Sequence, residues 1–184
     1  MNPAAGTIPN RVQSITEGTF RIAMADDDRA EHLLLMMAAD EAGIDASLSF
    51  HDGGQELLDH LREIERAEDM PNVILLDLRM PGVDGYATLD ELQADPELWK
   101  IPVVVFTSST RPVERALSYD RGARLFQTKP HDFSKLVSLV RGLPLLTLSP
   151  NQSAPESKRS TADPTRPWMG HEPFRIDSDP GSLN

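Results

Sequence analysis

Four groups of polar residues directly follow short apolar runs in this sequence, and their chemical types suit the transfer of a phosphoryl group. The groups are Asp26-Asp27-Asp28, Asp77, Thr107-Ser108 and Lys129-Pro130. A carboxylate is ionised at neutral pH, so it can attack phosphorus and form an aspartyl phosphate without a general base. Lysine and threonine are suited to holding phosphoryl oxygens. The residue types therefore predict a carboxylate phosphoacceptor with its binding groups.

Asp77 stands out among the carboxylates because the four apolar residues Val73 to Leu76 come immediately before it. The end of such a run is expected to be buried, where an unpaired carboxylate is costly. A functional interpretation of Asp77 is therefore favoured over a structural one. By themselves, the acidic triplet at 26–28 could be a helix cap and Met80-Pro81-Gly82 a turn.

The elements that must position these residues are five strands that alternate with five helices. The predicted strands are Phe20 to Ala25, Ala46 to His51, Val73 to Leu76, Val103 to Phe106 and Ala123 to Thr128. Each strand is followed by apolar residues at helical spacing. Right-handed crossovers between such units give a parallel sheet with helices on both faces, and ligands bind at the carboxyl ends of its strands. All four polar groups should therefore meet at one edge.

The hydrophobic patterns also predict the place of single elements. Ala46 to His51 alternates apolar and polar residues as an edge strand does, whereas the continuous run Val73 to Leu76 is typical of a central strand covered on both faces. The first helix is predicted to be amphipathic from the spacing of Ala30, Leu33, Leu34, Met37 and Ala38.

Several carboxylates at one edge raise one another's pKa unless a cation offsets their charge. Magnesium fits best, because it prefers hard oxygen ligands and binds through one or two carboxylates together with phosphate oxygens. Zinc would prefer His or Cys. The histidines show no metal-binding spacing and are interpreted as ordinary residues: His32, His51, His60, His131 and His171. The sequence therefore predicts a Mg²⁺ site without histidine ligands.

Four segments together resemble the receiver domain of bacterial response regulators, which has the CheY-like fold. They are Ile22 to Asp28, Ile74 to Gly85, Val105 to Ser108 and Phe126 to Pro130, and the resemblance covers about residues 20 to 146. It implies a flavodoxin-like (βα)5 receiver fold of the α/β class. In that fold a five-stranded parallel sheet is sandwiched by five helices.

The resemblance also implies the roles of individual residues. It implies that Asp77 accepts a phosphoryl group from a sensor histidine kinase. The implied Mg²⁺ ligands are Asp26, Asp27, Asp77 and the backbone carbonyl of Arg79. The implied phosphoryl contacts are Thr107, Ser108 and Lys129, and the implied aromatic switch is Phe126. Such a protein is a signalling phosphoacceptor that assists its own Mg²⁺-dependent phosphorylation and dephosphorylation, and it is not a classical enzyme.

The stretch from Asp95 to Ser109 is similar to stand-alone regulators paired with bacterial and cyanobacterial phytochromes, so a bacteriophytochrome is a candidate kinase.

The sequence departs from the family at Ala23 and Ala25, where larger aliphatic residues are usual. It also has Phe126 where tyrosine is commoner, so switching is expected to depend on packing without a phenolic hydrogen bond. The resemblance marks the last helices and the fifth strand as the expected homodimer and signalling surface.

Composition divides the chain into three expected parts. Residues 1–18 are expected to form a flexible leader, residues 19–146 the receiver domain, and residues 147–184 a Pro/Ser-rich disordered tail. Apolar tail residues such as Trp168 and Phe174 are either scattered or form an arm that docks on a partner.

Charge and composition disfavour several classes of function. The formal net charge of -11 argues against direct binding of nucleic acid, and the tail shows neither a helix-turn-helix pattern nor a basic stripe. No apolar run reaches the roughly 20 residues that span a bilayer, and no signal peptide is visible. The chain contains no cysteine. These features predict a cytoplasmic protein that contacts neither nucleic acid nor membrane.

Two other functions compete with phosphorelay signalling. A Mg²⁺-dependent phosphatase also forms an aspartyl phosphate on such a sheet, but it needs a second Asp two positions after the nucleophile, where this sequence has Arg79. A phosphorylation-independent binding module would lack part of the acceptor machinery, and none is missing. The favoured prediction is a single-domain response regulator of a two-component phosphorelay that signals by protein contacts.

Overall fold

A computed structural model of the protein describes residues 19–80, 82 and 84–148, so the predicted leader and nearly all of the predicted tail lie outside the described residues. The strands are β1 (Phe20–Ala25), β2 (Ala46–His51), β3 (Val73–Leu76), β4 (Val103–Thr107) and β5 (Leu125–Thr128). The helices are α1 (Arg29–Ala42), α2 (Gly54–Glu63), α3 (Gly85–Ala94), α4 (Pro112–Asp120) and α5 (Phe133–Leu146). Among the described residues, no helix is long and apolar enough to cross a membrane.

The five strands form one parallel sheet in the order β2-β1-β3-β4-β5. The predicted edge position of β2 and central position of β3 are therefore confirmed. The register pairs Ala25 with Leu76 across β1 and β3, and Thr107 with Thr128 across β4 and β5. The residues that follow these pairs consequently begin their loops side by side at the same edge of the sheet.

Alternate residues of the central strands enter two separate hydrophobic layers. Ile74 and Leu76 of β3 face a layer that includes Leu57, Leu61 and Leu89 of α2 and α3. The opposite layer lies against α1 and α5 and consists of buried residues such as Leu75, Phe106, Leu35, Val137 and Val140. Both faces of β3 are covered, which explains why its sequence is apolar without interruption.

The buried face of α1 differs from the one its apolar spacing suggested. The buried residues are His32, Leu35, Ala38 and Ala39, whereas Leu33 and Met37 are each 58% exposed and Leu34 is also exposed. Asp28 caps the helix by accepting a hydrogen bond from the Ala30 N–H at 2.9 Å. His32 Nε2 lies 2.8 Å from the carbonyl oxygen of Asp26. Leu35, Ala38 and Ala39 pack in the second hydrophobic layer, so the face of α1 that carries them is turned towards the sheet.

The segment between α4 and β5 is a tight turn, and β5 is shorter than predicted. Gly122 has φ 93°, in the left-handed region that glycine adopts readily. The Ala123 N–H donates to the Ser118 carbonyl at 2.9 Å and closes the helix instead of joining the sheet. The strand therefore begins at Leu125 and not at Ala123, while β4 gains Thr107 through its pairing with Thr128.

Candidate functional site

Three carboxylates converge where β1 and β3 end. Asp26 and Asp77 are buried and Asp27 is exposed. One carboxylate oxygen from each lies within 4.8 Å of the others. The Asp77 N–H donates to the Ala25 carbonyl at 2.9 Å, which continues the sheet register one residue further. Neighbouring parallel strands thus place the acidic residues of two distant segments together.

Lys129 brings a positive charge into this acidic cluster. Its Nζ lies 2.6 Å from Asp26 Oδ2, 3.3 Å from Asp77 Oδ2 and 4.0 Å from Glu31 Oε1. The Lys129 N–H donates to the Thr107 carbonyl at 2.8 Å, so the backbone at the end of β5 holds the side chain over the carboxylates. The ammonium offsets part of their mutual repulsion.

The titration behaviour of the cluster follows from burial and charge. Burial raises the pKa of Asp26 above its ordinary value, against the opposing attraction of Lys129. Burial also raises the pKa of Glu31. For Lys129, burial acts to lower the pKa, but the attraction of Asp26, Asp77 and Glu31 outweighs it and raises the pKa. The lysine is therefore cationic at neutral pH, and the site favours added positive charge.

The end of β4 supplies hydroxyl groups beside the cluster. Thr107 is buried, and its Oγ1 accepts a hydrogen bond from the Ser109 N–H at 3.4 Å. Ser108 is exposed, whereas Ser109 is buried and its carbonyl accepts a bond from the Thr128 hydroxyl at 3.0 Å. The loop after β4 is thus tied to β5, with the Ser108 side chain at the surface.

Arg79 lies two residues after Asp77, in the loop that follows β3. Its N–H donates to Asp77 Oδ1 at 3.3 Å. Its exposed side chain turns away towards α4, where Nη2 lies 3.4 Å from Glu114 Oε1. The backbone of Arg79 therefore lies at the carboxylates while its guanidinium contacts a different element.

Phe126 lies inside the fold on β5, next to β4. Its ring is buried, and the guanidinium of Arg115 on α4 lies 5.2 Å from the ring centroid. The Phe126 N–H donates to the Tyr119 hydroxyl at 3.2 Å. Two residues of α4 therefore contact Phe126. A shift of its ring would change the contacts of that helix.

Sequence reasoning singled out neither Glu31 nor Glu114, although both contact residues of the site. Glu31 lies in the first turn of α1, three residues after its Asp28 cap, and this spacing is the sequence feature that could have identified it.

The histidines also cluster more than expected. The rings of His51 and His60 lie 4.9 Å apart, and burial, followed by the nearness of His60, lowers the pKa of His51.

The donor set of the acidic cluster fits a hard divalent cation. The three converging ligands are Asp26, Asp27 and Asp77, so every candidate ligand atom is a carboxylate oxygen. Mg²⁺ prefers oxygen ligands of this kind, whereas zinc sites use nitrogen or sulfur. The pKa of Lys129 is raised by the attraction of Asp26, Asp77 and Glu31, which indicates a locally negative site, as a cation site requires.

Known proteins are similar to this chain over most of its described residues. The family model of the response regulator receiver domain matches residues 22–141. The probable methanogenesis regulatory protein FilR2 of Methanothrix harundinacea is 32% identical over 138 residues, which are 74% of this chain and 89% of that protein. The response regulator Rcp1 of Synechocystis sp. is 31% identical over 124 residues, which are 66% of this chain and 84% of that protein.

Solved structures agree with the fold. The phosphorylated cyanobacterial phytochrome response regulator RcpA matches with a TM-score of 0.62 and 32% identity, over 72% of this chain and 96% of that one. The Mn(2+)-bound form of response regulator Rcp1 matches with a TM-score of 0.59 and 30% identity, over 67% and 91%. The family match, the relatives and the fold lead to one conclusion: this chain belongs to the response regulator receiver domain family of two-component signalling.

Proposed function

We propose that this chain is a single-domain response regulator that accepts a phosphoryl group on Asp77 from a sensor histidine kinase and signals through protein contacts. One observation carries the proposal: the Asp77 carboxylate lies at the carboxyl edge of the sheet, beside Asp26 and Asp27 and 3.3 Å from the Lys129 ammonium. A nucleophile, an acidic cation site and a cationic phosphoryl ligand are thus adjacent. This is the set of groups that phosphoryl transfer to a carboxylate needs.

The proposed reaction transfers a phosphoryl group between two side chains. An oxygen of the Asp77 side chain attacks the phosphorus of a phosphohistidine, a P–O bond forms and the P–N bond breaks. The electron pair of the P–N bond returns to the imidazole nitrogen of the kinase. Lys129, already 3.3 Å from Asp77 Oδ2, is assigned to hold one phosphoryl oxygen, and the hydroxyls of Thr107 and Ser108 to hold another.

The proposed cofactor is Mg²⁺, held by the carboxylates of Asp26, Asp27 and Asp77 and by the backbone carbonyl of Arg79. Bound Mg²⁺ supplies positive charge that offsets the carboxylates and the phosphoryl oxygens. The Mn(2+)-bound structure of the similar regulator Rcp1 supports a divalent ion in this family. The oxygen-only donor set supports the choice of a hard cation.

A phytochrome-type histidine kinase is the proposed phosphodonor. The support is the likeness to RcpA, which is described as a cyanobacterial phytochrome response regulator and is 32% identical, and to the bacteriophytochrome response regulator RtBRR, which is 29% identical.

Receiver domains are signalling phosphoacceptors, and Arg79 stands where a phosphatase would need its proton-donating Asp. The phosphatase alternative therefore has no acid at the required position.

The proposed output surface is formed by α4, β5 and α5, and it is also the proposed homodimer surface. Three apolar or aromatic side chains of α4 are exposed there: Val113, Leu117 and Tyr119. Movement of Thr107 towards a phosphoryl oxygen would open space beside Phe126 on the neighbouring strand, and Phe126 contacts α4 through Arg115. Phosphorylation would thereby bias this surface by a change in packing.

The acceptor assignment is tested by intact mass after incubation with acetyl phosphate and Mg²⁺. The wild type is expected to gain roughly 80 Da, the mass of one phosphoryl group, and Asp77→Asn to gain none. Asp84→Asn is a matched control on the same loop, because Asp84 caps α3 by accepting from the Tyr86 N–H, and it should label normally. Labelling of Asp77→Asn at another residue would refute the assignment.

The output assignment is tested by sedimentation with and without beryllium fluoride, a phosphoryl mimic. Coupling energies of about 1–3 kcal/mol predict that the mimic tightens self-association roughly 5- to 150-fold. Phe126→Ala should reduce that factor. No change in self-association or kinase affinity in the wild type would reject this surface. Loss of dimers in a chain truncated after Leu146 would instead assign dimerisation to the tail.

A further inference from the structure

Glu114, in the first turn of α4, lies at the centre of a small ion-pair network. Its Oε1 lies 3.4 Å from Arg79 Nη2 and 3.1 Å from Arg111 Nη1. The Glu114 side chain is only 15% exposed, whereas the side chain of Arg79 is 56% exposed. The carboxylate is therefore held in place by its surroundings, and the arginine is the partner that is free to move.

Glu114 is also fixed through its backbone. Its carbonyl accepts hydrogen bonds from the Ser118 hydroxyl at 2.7 Å and from the Tyr86 hydroxyl of α3 at 3.5 Å. The Ser109 hydroxyl, and after it the guanidinium groups of Arg79 and Arg111, lower the pKa of Glu114. Glu114 is consequently ionised at neutral pH and sits where α3, α4 and the loop after β4 meet.

Arg79 connects this network to the acceptor. Its N–H donates to Asp77 Oδ1 at 3.3 Å while its guanidinium contacts Glu114. A single residue therefore joins the phosphorylation site to the first turn of α4. This link is separate from the path through Thr107 and Phe126, which runs along β4 and β5.

We propose that Glu114 is a positioning residue that holds Arg79, and with it α4, in the unphosphorylated arrangement. A phosphoryl group on Asp77 competes with Glu114 for the Arg79 guanidinium and so releases α4. The inference rests on the proposed phosphorylation of Asp77. The physical basis is charge: a phosphoryl group carries about -1.5 to -2 and three acceptor oxygens, more than the single charge of a carboxylate.

The test is amide hydrogen exchange of α4, residues 112–120, measured by mass spectrometry with and without beryllium fluoride and Mg²⁺, on protein diluted below the concentration at which it self-associates. Without the mimic, Glu114→Gln and Arg79→Ala should each speed exchange of α4 about two- to fivefold, as expected for loss of a partly exposed ion pair. The double variant should exchange no faster than Glu114→Gln, which loses the Arg111 pair as well. Adding the mimic should raise wild-type exchange to the level of Glu114→Gln and change that variant little.

Glu97→Gln is the matched control. It breaks the exposed 2.8 Å ion pair between Glu97 and Lys100, which lies outside α4 and the acceptor loop, so exchange of residues 112–120 should be unchanged. If Glu114→Gln folds poorly, Arg79→Ala still tests the link, because the Arg79 side chain lies at the surface.

Additive effects of the two variants, or unchanged exchange in both, would overturn the Arg79–Glu114 link. Unchanged wild-type exchange after the mimic has bound would overturn the competition while leaving phosphorylation of Asp77 intact. Failure of the wild type to gain phosphoryl mass would instead refute the proposed function, and the exchange data collected without the mimic would still decide the link.

Discussion

Gly85, the first residue of α3, offers a direct test of how tightly the acceptor loop is packed. A Cβ built at this position would lie 2.6 Å from the Cα of Leu78 and nearer still to the carbonyl oxygen of Asp77. Both contacts are with backbone, so no flexible side chain can give way. The substitution Gly85→Ala must therefore move either the start of α3 or the end of the acceptor strand.

The size of the effect follows from these distances. Ordinary carbon contacts begin near 3.5 Å, so a shift of roughly 1 Å is needed. Overpacking of this kind costs about 1–3 kcal/mol. Gly85 is the first residue of α3, so alanine gains little of the propensity advantage that it has inside a helix. The free energy of unfolding should therefore fall by about 1–3 kcal/mol. Mg²⁺ affinity should fall as well, because the built Cβ lies against the backbone of Asp77, a proposed Mg²⁺ ligand.

Urea unfolding and Mg²⁺ titration of the same samples measure both effects. Gly142→Ala is the matched control: Gly142 lies within α5, a Cβ there would meet no atom within 4 Å, and the variant should gain about 0.5–1 kcal/mol with unchanged Mg²⁺ affinity. A Gly85→Ala protein as stable as wild type would show that the loop after β3 is loose, which would refute the packing argument.

Four further substitutions separate the roles within the site. Asp27→Ala should lower Mg²⁺ affinity in titration with little loss of stability, whereas Asp28→Ala should keep the affinity and lose about 1 kcal/mol of stability, because Asp28 caps α1; equal affinity losses would reject this ranking. Lys129→Ala should still gain phosphoryl mass but should lose the effect of beryllium fluoride on self-association, and an unchanged effect would count against the role of the lysine. Because the pKa of Asp26 is raised from 3.8 in the folded protein, its stabilising contribution is complete below that pH and is lost as pH rises through the folded pKa. Asp26→Asn should therefore unfold at higher urea than metal-free wild type at pH 7, with the advantage disappearing near pH 3.5 in a pH series.

The sequence predicted the sheet because its strands differ in pattern. The uninterrupted run of β3 and the alternation of β2 distinguish a strand covered on both faces from an edge strand, and right-handed crossovers make the sheet parallel. The rotation of α1 could not be predicted in this way. Leu33, Leu34 and Met37 share a helical face, and so do Leu35 and Ala38. The second face is the buried one, where Leu35 and Ala38 pack in the hydrophobic layer and His32 contacts the Asp26 carbonyl.

The meeting of the four polar groups was predictable for the same reason, since residues at the carboxyl ends of parallel strands share an edge. Glu31 and Glu114 were missed because helix orientation, and not strand order, brings them to Lys129 and Arg79. The exposed position of Ser108 beside buried Ser109 likewise depends on the course of a loop. Sheet topology thus determines which strand ends contribute to the site. The packing of helices and loops determines which further residues contact it.

The order of the site along the chain has a consequence for synthesis on the ribosome. Asp26 and Asp77 leave the ribosome well before Lys129, which follows the last strand of the sheet. A nascent chain that ends before β5 carries the two carboxylates without the ammonium that lies 2.6 Å from Asp26 in the finished fold. Their repulsion disfavours early closure of the β1–β3 edge. Arrival of β5 with Lys129 offsets part of that penalty. The last strand to be synthesised should therefore complete folding of the domain, and Mg²⁺ in the cell should let shorter nascent chains fold sooner.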